Sequence, residues 1–177
     1  MLVNAGRPGF PTAPSLVLMG RAFFFLSFLL LFVTTAESID IAATGGWSET
    51  VDQLDLVSGA GSQLVDTYES ATTATVIDIT NTIDKKDAWR VDVRRVDGGG
   101  WLGDFTLYVK RTSDGNGQGS VISGGLSYIE ITTTDSEFYS GEGALWNVDV
   151  QYQLTGMSIS VVPTNYSTTI VFTVIDI

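Results

Sequence analysis

The sequence predicts an all-β protein: a single antiparallel β-sandwich of the immunoglobulin-like kind, with about eight or nine strands. Three observations lead there. Apolar and polar residues alternate with period two along most of the chain, and no long stretch carries a helical period. Clusters of Gly, Ser, Asp and Asn break these runs into short segments. The chain has 177 residues, enough for one core behind a leader and too few for two.

Taken in order, the first element is the leader. Arg21 precedes the apolar run Ala22 to Val33, and Thr34-Thr35-Ala36 places small residues where a signal peptidase reads. Residues 1–36 are therefore expected to be a signal peptide cleaved after Ala36, with Met19 as a candidate true start. The run is short for a bilayer span and no stop-transfer pattern follows, so the mature chain is not expected to insert in a membrane. The domain is expected over residues 37–177, with a secreted, cell-surface or periplasmic destination. Its first segment, Ser38 to Ala43, alternates around Ile39 and Ile41 and runs into a Gly45-Gly46 hinge. It is a candidate assembly strand, able to pair with its own domain or with a neighbour's edge.

Further strands are expected at Gln53 to Val57, Ala71 to Thr80, Trp89 to Arg94, Phe105 to Arg111, Leu126 to Thr133, Asn147 to Leu154, Met157 to Val162 and Tyr166 to Ile177. The clearest are Trp89 to Arg94, with Trp89, Val91 and Val93 on one face, and Asn147 to Leu154, apolar at every even position. Gln63 to Ser70 is the one stretch that reads as a helical turn. An outer-membrane barrel would also fit the length, but it needs an outward apolar band on every strand, where this chain has Arg90, Asp92 and Arg94.

Composition excludes whole classes of chemistry. The chain contains no Cys and no His, which rules out disulfides, thiolate nucleophiles, Ser-His-Asp machinery and imidazole- or thiolate-bound zinc. Residues 1–36 hold Arg7 and Arg21 and no acid, so their removal leaves 7 basic against 20 acidic side chains and a net charge of −13. Such a surface repels nucleic acid and anionic lipid.

Three constellations remain. In Thr112 to Ser120, Asp114, Asn116 and Gln118 present oxygen atoms at alternate positions, as a calcium loop does; the decisive twelfth position holds Gly125, and a hairpin tip joining two strands is the competing reading. Calcium is the only cofactor the sequence suggests. Glu130, Asp135, Glu137 and Glu142 could supply a carboxylate pair, but no spacing selects one, so no catalytic residue is assigned and no enzyme is expected. Trp47, Trp101 and Trp146 lie beside glycines or turns, where they could stack on a sugar or seal the sandwich ends. Asn165-Tyr166-Ser167 is a glycosylation sequon.

The run Pro163 to Val174, with its proline, turn, tyrosine and alternating Thr and Val, resembles the last strand of exported bacterial sandwich proteins of the spore coat protein U and archaic fimbrial-subunit type. Those families often carry cysteine pairs, and this chain has none. The resemblance implies an exported subunit that a strand from a neighbour completes. The expected function is thus a non-enzymatic structural or adhesive surface subunit, self-associating or bound to another surface protein. The alternative is a secreted carbohydrate- or calcium-binding module.

Overall fold

A computed structural model describes residues 38–117 and 121–177; the expected leader and Gln118 lie outside the described residues. Among the described residues ten strands form two antiparallel sheets, so the expectation of an all-β sandwich is met. The first sheet contains β1 (Asp40–Gly45), β2 (Thr67–Glu69), β3 (Thr75–Thr80), β5 (Thr106–Arg111), β7 (Ile129–Glu130) and β9 (Leu145–Thr155). Its order is β1-β3-β9-β5-β7, with β2 also paired to β9. The second, in the order β10-β4-β8-β6, contains β4 (Ala88–Asp97), β6 (Ile122–Gly124), β8 (Ser136–Glu142) and β10 (Thr168–Asp176). Each sheet keeps two edges, which removes the closed barrel from consideration.

The period-two runs bury the side chains they promised. Trp89, Val91 and Val93 of β4 face Ile77, Ile79, Val109, Val148 and Val150 of the other sheet in one core. Alternation is interrupted where strands bulge. Between β4 and β8 the register shifts at Val91/Asp92, so Phe138 and Tyr139 are consecutive and both buried. Between β3 and β9 it shifts between Ile77 and Ile79. There Asn147 takes φ +58°, which lets Leu145 reach the core although it is out of phase with Val148.

Several expected elements differ. Gln53 to Val57 is not a strand: Gln53–Asp55 is a short 3-10 turn, because the Asp52 carboxylate accepts from Leu54 N at 2.7 Å and Asp55 accepts from Asp52 N at 2.7 Å. The helical reading of Gln63 to Ser70 fails for the complementary reason. Tyr68 is 5% exposed on β2, which pairs with β9, and Ser70 hydroxyl accepts from Tyr152 N at 2.8 Å, joining β2 and β3 into one interrupted strand beside β9. Met157 to Val162 forms no strand, since Gly156 takes φ +89° and an added Cβ would lie 1.9 Å from Asp104 O. The strands β6 and β8 were not expected, because Ser, Glu and Gly in Ser136 to Glu142 read as turn formers.

Candidate functional site

The four sheet edges are unequal. On one side of the sandwich the edges are β7, with two residues, and β6, with three; on the other they are β1, with six, and β10, with nine. Edges shortened to two or three residues offer little to pair with, whereas the long ones leave rows of backbone N–H and C=O groups without a strand partner among the described residues. The two long edges contact each other, and a cleft of about 1050 Å³ is lined by Ala43 and Gly45 near the end of β1 and by Thr168, Thr169, Ile170 and Phe172 of β10.

The cleft exists because the core is left open there. Its floor is the inner face of the first sheet, with Leu107, Tyr152 and Leu154, and its far wall is Ile170 and Phe172 of β10, which are only half-buried. The near wall is the segment from Gly45 to Asp52 that leaves β1. The glycine-started loop 156–167 covers one end with Met157, Ile159 and Val162, of which Ile159 and Val162 are exposed.

Two of the three singled-out tryptophans line this cleft. Trp47 lines it and donates from Nε1 to Glu49 Oε2 at 3.2 Å. Trp101 stands edge-on to Phe105 at 5.5 Å between ring centroids, and Phe105 edge-on to Tyr166 at 5.0 Å, with the Arg95 guanidinium 5.5 Å over the Trp101 ring. Trp101 Nε1 is buried without a hydrogen-bond partner among the described residues. Since its rings are engaged by protein groups, Trp101 is poorly presented as a sugar platform. Trp146 is elsewhere, exposed on β9, where it bridges Asn116.

The acidic residues around the cleft are unbalanced. Among the described residues Glu49 and Asp52 line it and no Lys or Arg does, while exposed Asp104 directly precedes the lining residue Phe105. Burial, followed by the charges of Asp55 and Glu49, pushes the Tyr68 phenol above its ordinary range. On flanking β4, Arg95 is held by Asp97 at 2.7 Å and donates to Ile131 O at 2.7 Å.

The calcium reading of the glycine-rich loop finds no gathered ligands. Asp114 is paired with the guanidinium of Arg111, a residue 3% exposed that also donates to Gly124 O at 2.7 Å and Ser113 O at 3.1 Å. Asn116 exchanges backbone hydrogen bonds with Trp146, and Ser113 hydroxyl accepts from Asp149 N at 2.8 Å. The loop's first half thus extends the first sheet beside β9, and the chain next enters the second sheet as β6; it crosses between sheets where a simple hairpin tip was expected. Among the described residues no three Asp or Glu side chains cluster as a metal site. The four candidate carboxylates are dispersed as well: Glu130 on β7, Asp135 beside Arg94 at 3.4 Å, and Glu137 and Glu142 on β8 of the opposite sheet. None lines the cleft.

Ile39 is 7% exposed and Ile41 is packed against the core, and β1 pairs with β3 of its own chain from Asp40↔Thr80 to Gly45↔Thr75. The segment proposed as an arm for a neighbour is used at home.

The chain matches no family model, no curated protein and no solved structure. Its function has to be argued from the cleft. Sequence reasoning found Trp47, Trp101 and the final strand but missed the cleft itself, since nothing in a linear pattern says that Ile170 and Phe172 lack a covering strand.

Proposed function

We propose that this protein is an exported, non-enzymatic structural or adhesive subunit that joins a surface assembly by accepting an extended segment into the cleft between β1 and β10. The observation that carries the reading is the coincidence of two long unpaired edges with an apolar, half-open core. A strand laid beside Thr168 to Phe172 would extend the second sheet over about 17 Å, taking about 3.3 Å per residue, and alternate side chains would enter the core over Ile170 and Phe172. Backbone pairing would supply generic affinity and the apolar pockets selectivity. The export expectation and the resemblance of Pro163 to Val174 to exported sandwich subunits support the same reading. The secreted carbohydrate-binding module stays as the second reading, on the strength of Trp47 lining the cleft.

Melting temperature separates the two, because anything bound only to the folded form raises it. Short peptides with alternating Val and Thr, in several charge variants, are expected to raise Tm by several degrees at about 100-fold excess over Kd, where linkage gives about 2.7 kcal/mol. A panel of oligosaccharides is expected to leave it unchanged. Stabilisation by a glycan and by none of the peptides would overturn the reading.

A further inference from the structure

The cleft's charge layout says more about what occupies it, on the footing that it accepts a strand. Among the described residues its lining holds Glu49 and Asp52 and no Lys or Arg, beside apolar Leu107, Leu154, Ile170 and Phe172 and uncharged polar groups such as Thr164 and Asn165. Glu49, Asp52 and the neighbouring Asp104 are exposed, so their charges reach an incoming chain. A long-range field of one sign selects partners of the other and accelerates their encounter.

A second copy of this chain does not meet that field well. The net charge of the full sequence is −11, and Arg90, Arg94, Arg95 and Arg111 are each paired with a carboxylate of their own chain. The segment closest to an arm, Ser38 to Gly45, carries Asp40 and no base, and it is already paired in six registered positions with β3.

We infer that the occupant is an extended segment of a different protein, apolar at alternate positions and flanked by Lys or Arg, bound between β10 and these acidic residues. The alternating side chains contact Ile170, Phe172, Leu107 and Leu154, while the flanking cations face Glu49 and Asp52 in the lining and Asp104 beside the lining residue Phe105. The segment pairs with the free edge of β10, where the nine-residue strand has β4 on one side only.

The experiment uses protein produced from the full chain and four synthetic peptides: Val and Thr alternating between Lys pairs, the same core between Glu pairs, the Lys-flanked peptide with Gly for Val, and a copy of residues 38–46. Tryptophan fluorescence reads binding at about 20 mM and about 500 mM salt, on either side of the 10 Å screening length reached at 0.1 M. The Lys-flanked peptide is expected to bind at least tenfold more tightly than the Glu-flanked one at low salt, with the gap closing at high salt, and the Gly peptide and the 38–46 copy are expected not to bind. Glu49→Lys combined with Asp104→Lys, both at exposed positions, is expected to reverse the preference without changing Tm by more than a degree or two. Equal binding of Lys- and Glu-flanked peptides overturns this inference and leaves the strand-accepting reading intact. Tight binding of the 38–46 copy also overturns it, in favour of a second copy. Failure of every alternating peptide overturns both.

Discussion

Replacement of Gly141 by alanine should destabilise the sandwich by about 1–3 kcal/mol, the range for forcing an extra carbon into a filled core. Gly141 is in β8, directly opposite Trp89 of β4. A Cβ on Gly141 would stand 2.6 Å from Trp89 Cη2, 2.7 Å from Cζ2 and 2.7 Å from Val121 O. Carbon atoms prefer about 3.5–4.0 Å, so the indole would have to retreat by about an ångström. It has nowhere to go: Trp89 is fully buried, its Nε1 donates to Gly143 O at 2.8 Å, and its ring meets Tyr139 edge-on at 5.9 Å. At about 4 °C per kcal/mol for a domain of this size, Tm should fall by roughly 4–12 °C. Urea unfolding followed by tryptophan fluorescence should show a lower midpoint with an unchanged slope. Trp89→Phe removes both clashing carbons, so the double variant should be less destabilised than the sum of the singles by about 1 kcal/mol or more. Gly99→Ala is the control, as nothing lies within 4 Å of the added Cβ. A Gly141→Ala variant within about 0.5 kcal/mol of the parent, or strict additivity with Trp89→Phe, would refute the packing argument.

Two further outcomes follow from buried groups. Tyr139 is 1% exposed and its hydroxyl has no partner among the described residues, so Tyr139→Phe should be neutral or stabilising by up to about 2 kcal/mol at pH 7, read from the same urea curves. The same phenols govern alkaline behaviour. Tyr128 is pushed up to about 12 by burial, followed by its hydrogen bond to Glu69 and that residue's charge, and burial pushes Tyr139 higher still despite Arg111. The unfolded chain releases these protons near pH 10, so the stability they confer is whole below about pH 10 and is lost as pH rises toward 12. Tm measured across that window should fall, and fall less in Tyr139→Phe. Gly115→Ala should cost about 1–3 kcal/mol, because φ is +67° and the Cβ would lie 2.5 Å from Trp146 O. Loss of the Asn116–Trp146 bridge should appear as a change in tryptophan emission, and an unperturbed Tm would contradict the fastened-loop geometry.

The alternation at Trp89, Val91 and Val93, and at Val148, Val150 and Tyr152, was enough to identify half-buried strands and hence the fold class, because a pleated strand sends successive side chains to opposite faces whatever it pairs with. The missing Cys and His likewise needed no structure to exclude thiol and imidazole chemistry. What the local pattern could not carry is anything set by partners distant in the chain. Ser136 to Glu142 becomes a strand because β4 lies beside it, and its Gly141 because Trp89 needs the space. Asp114 proves to be the counter-ion of a buried Arg111, a pairing that the glycine-rich sequence around it does not announce. The cleft is the extreme case. The sequence determined that Ile170 and Phe172 would lie on one face of a strand, and only the tertiary structure decided that β10 would end a sheet, leaving that face half-covered, since an absent neighbour is a property of how the strands are ordered and not of any residue in them.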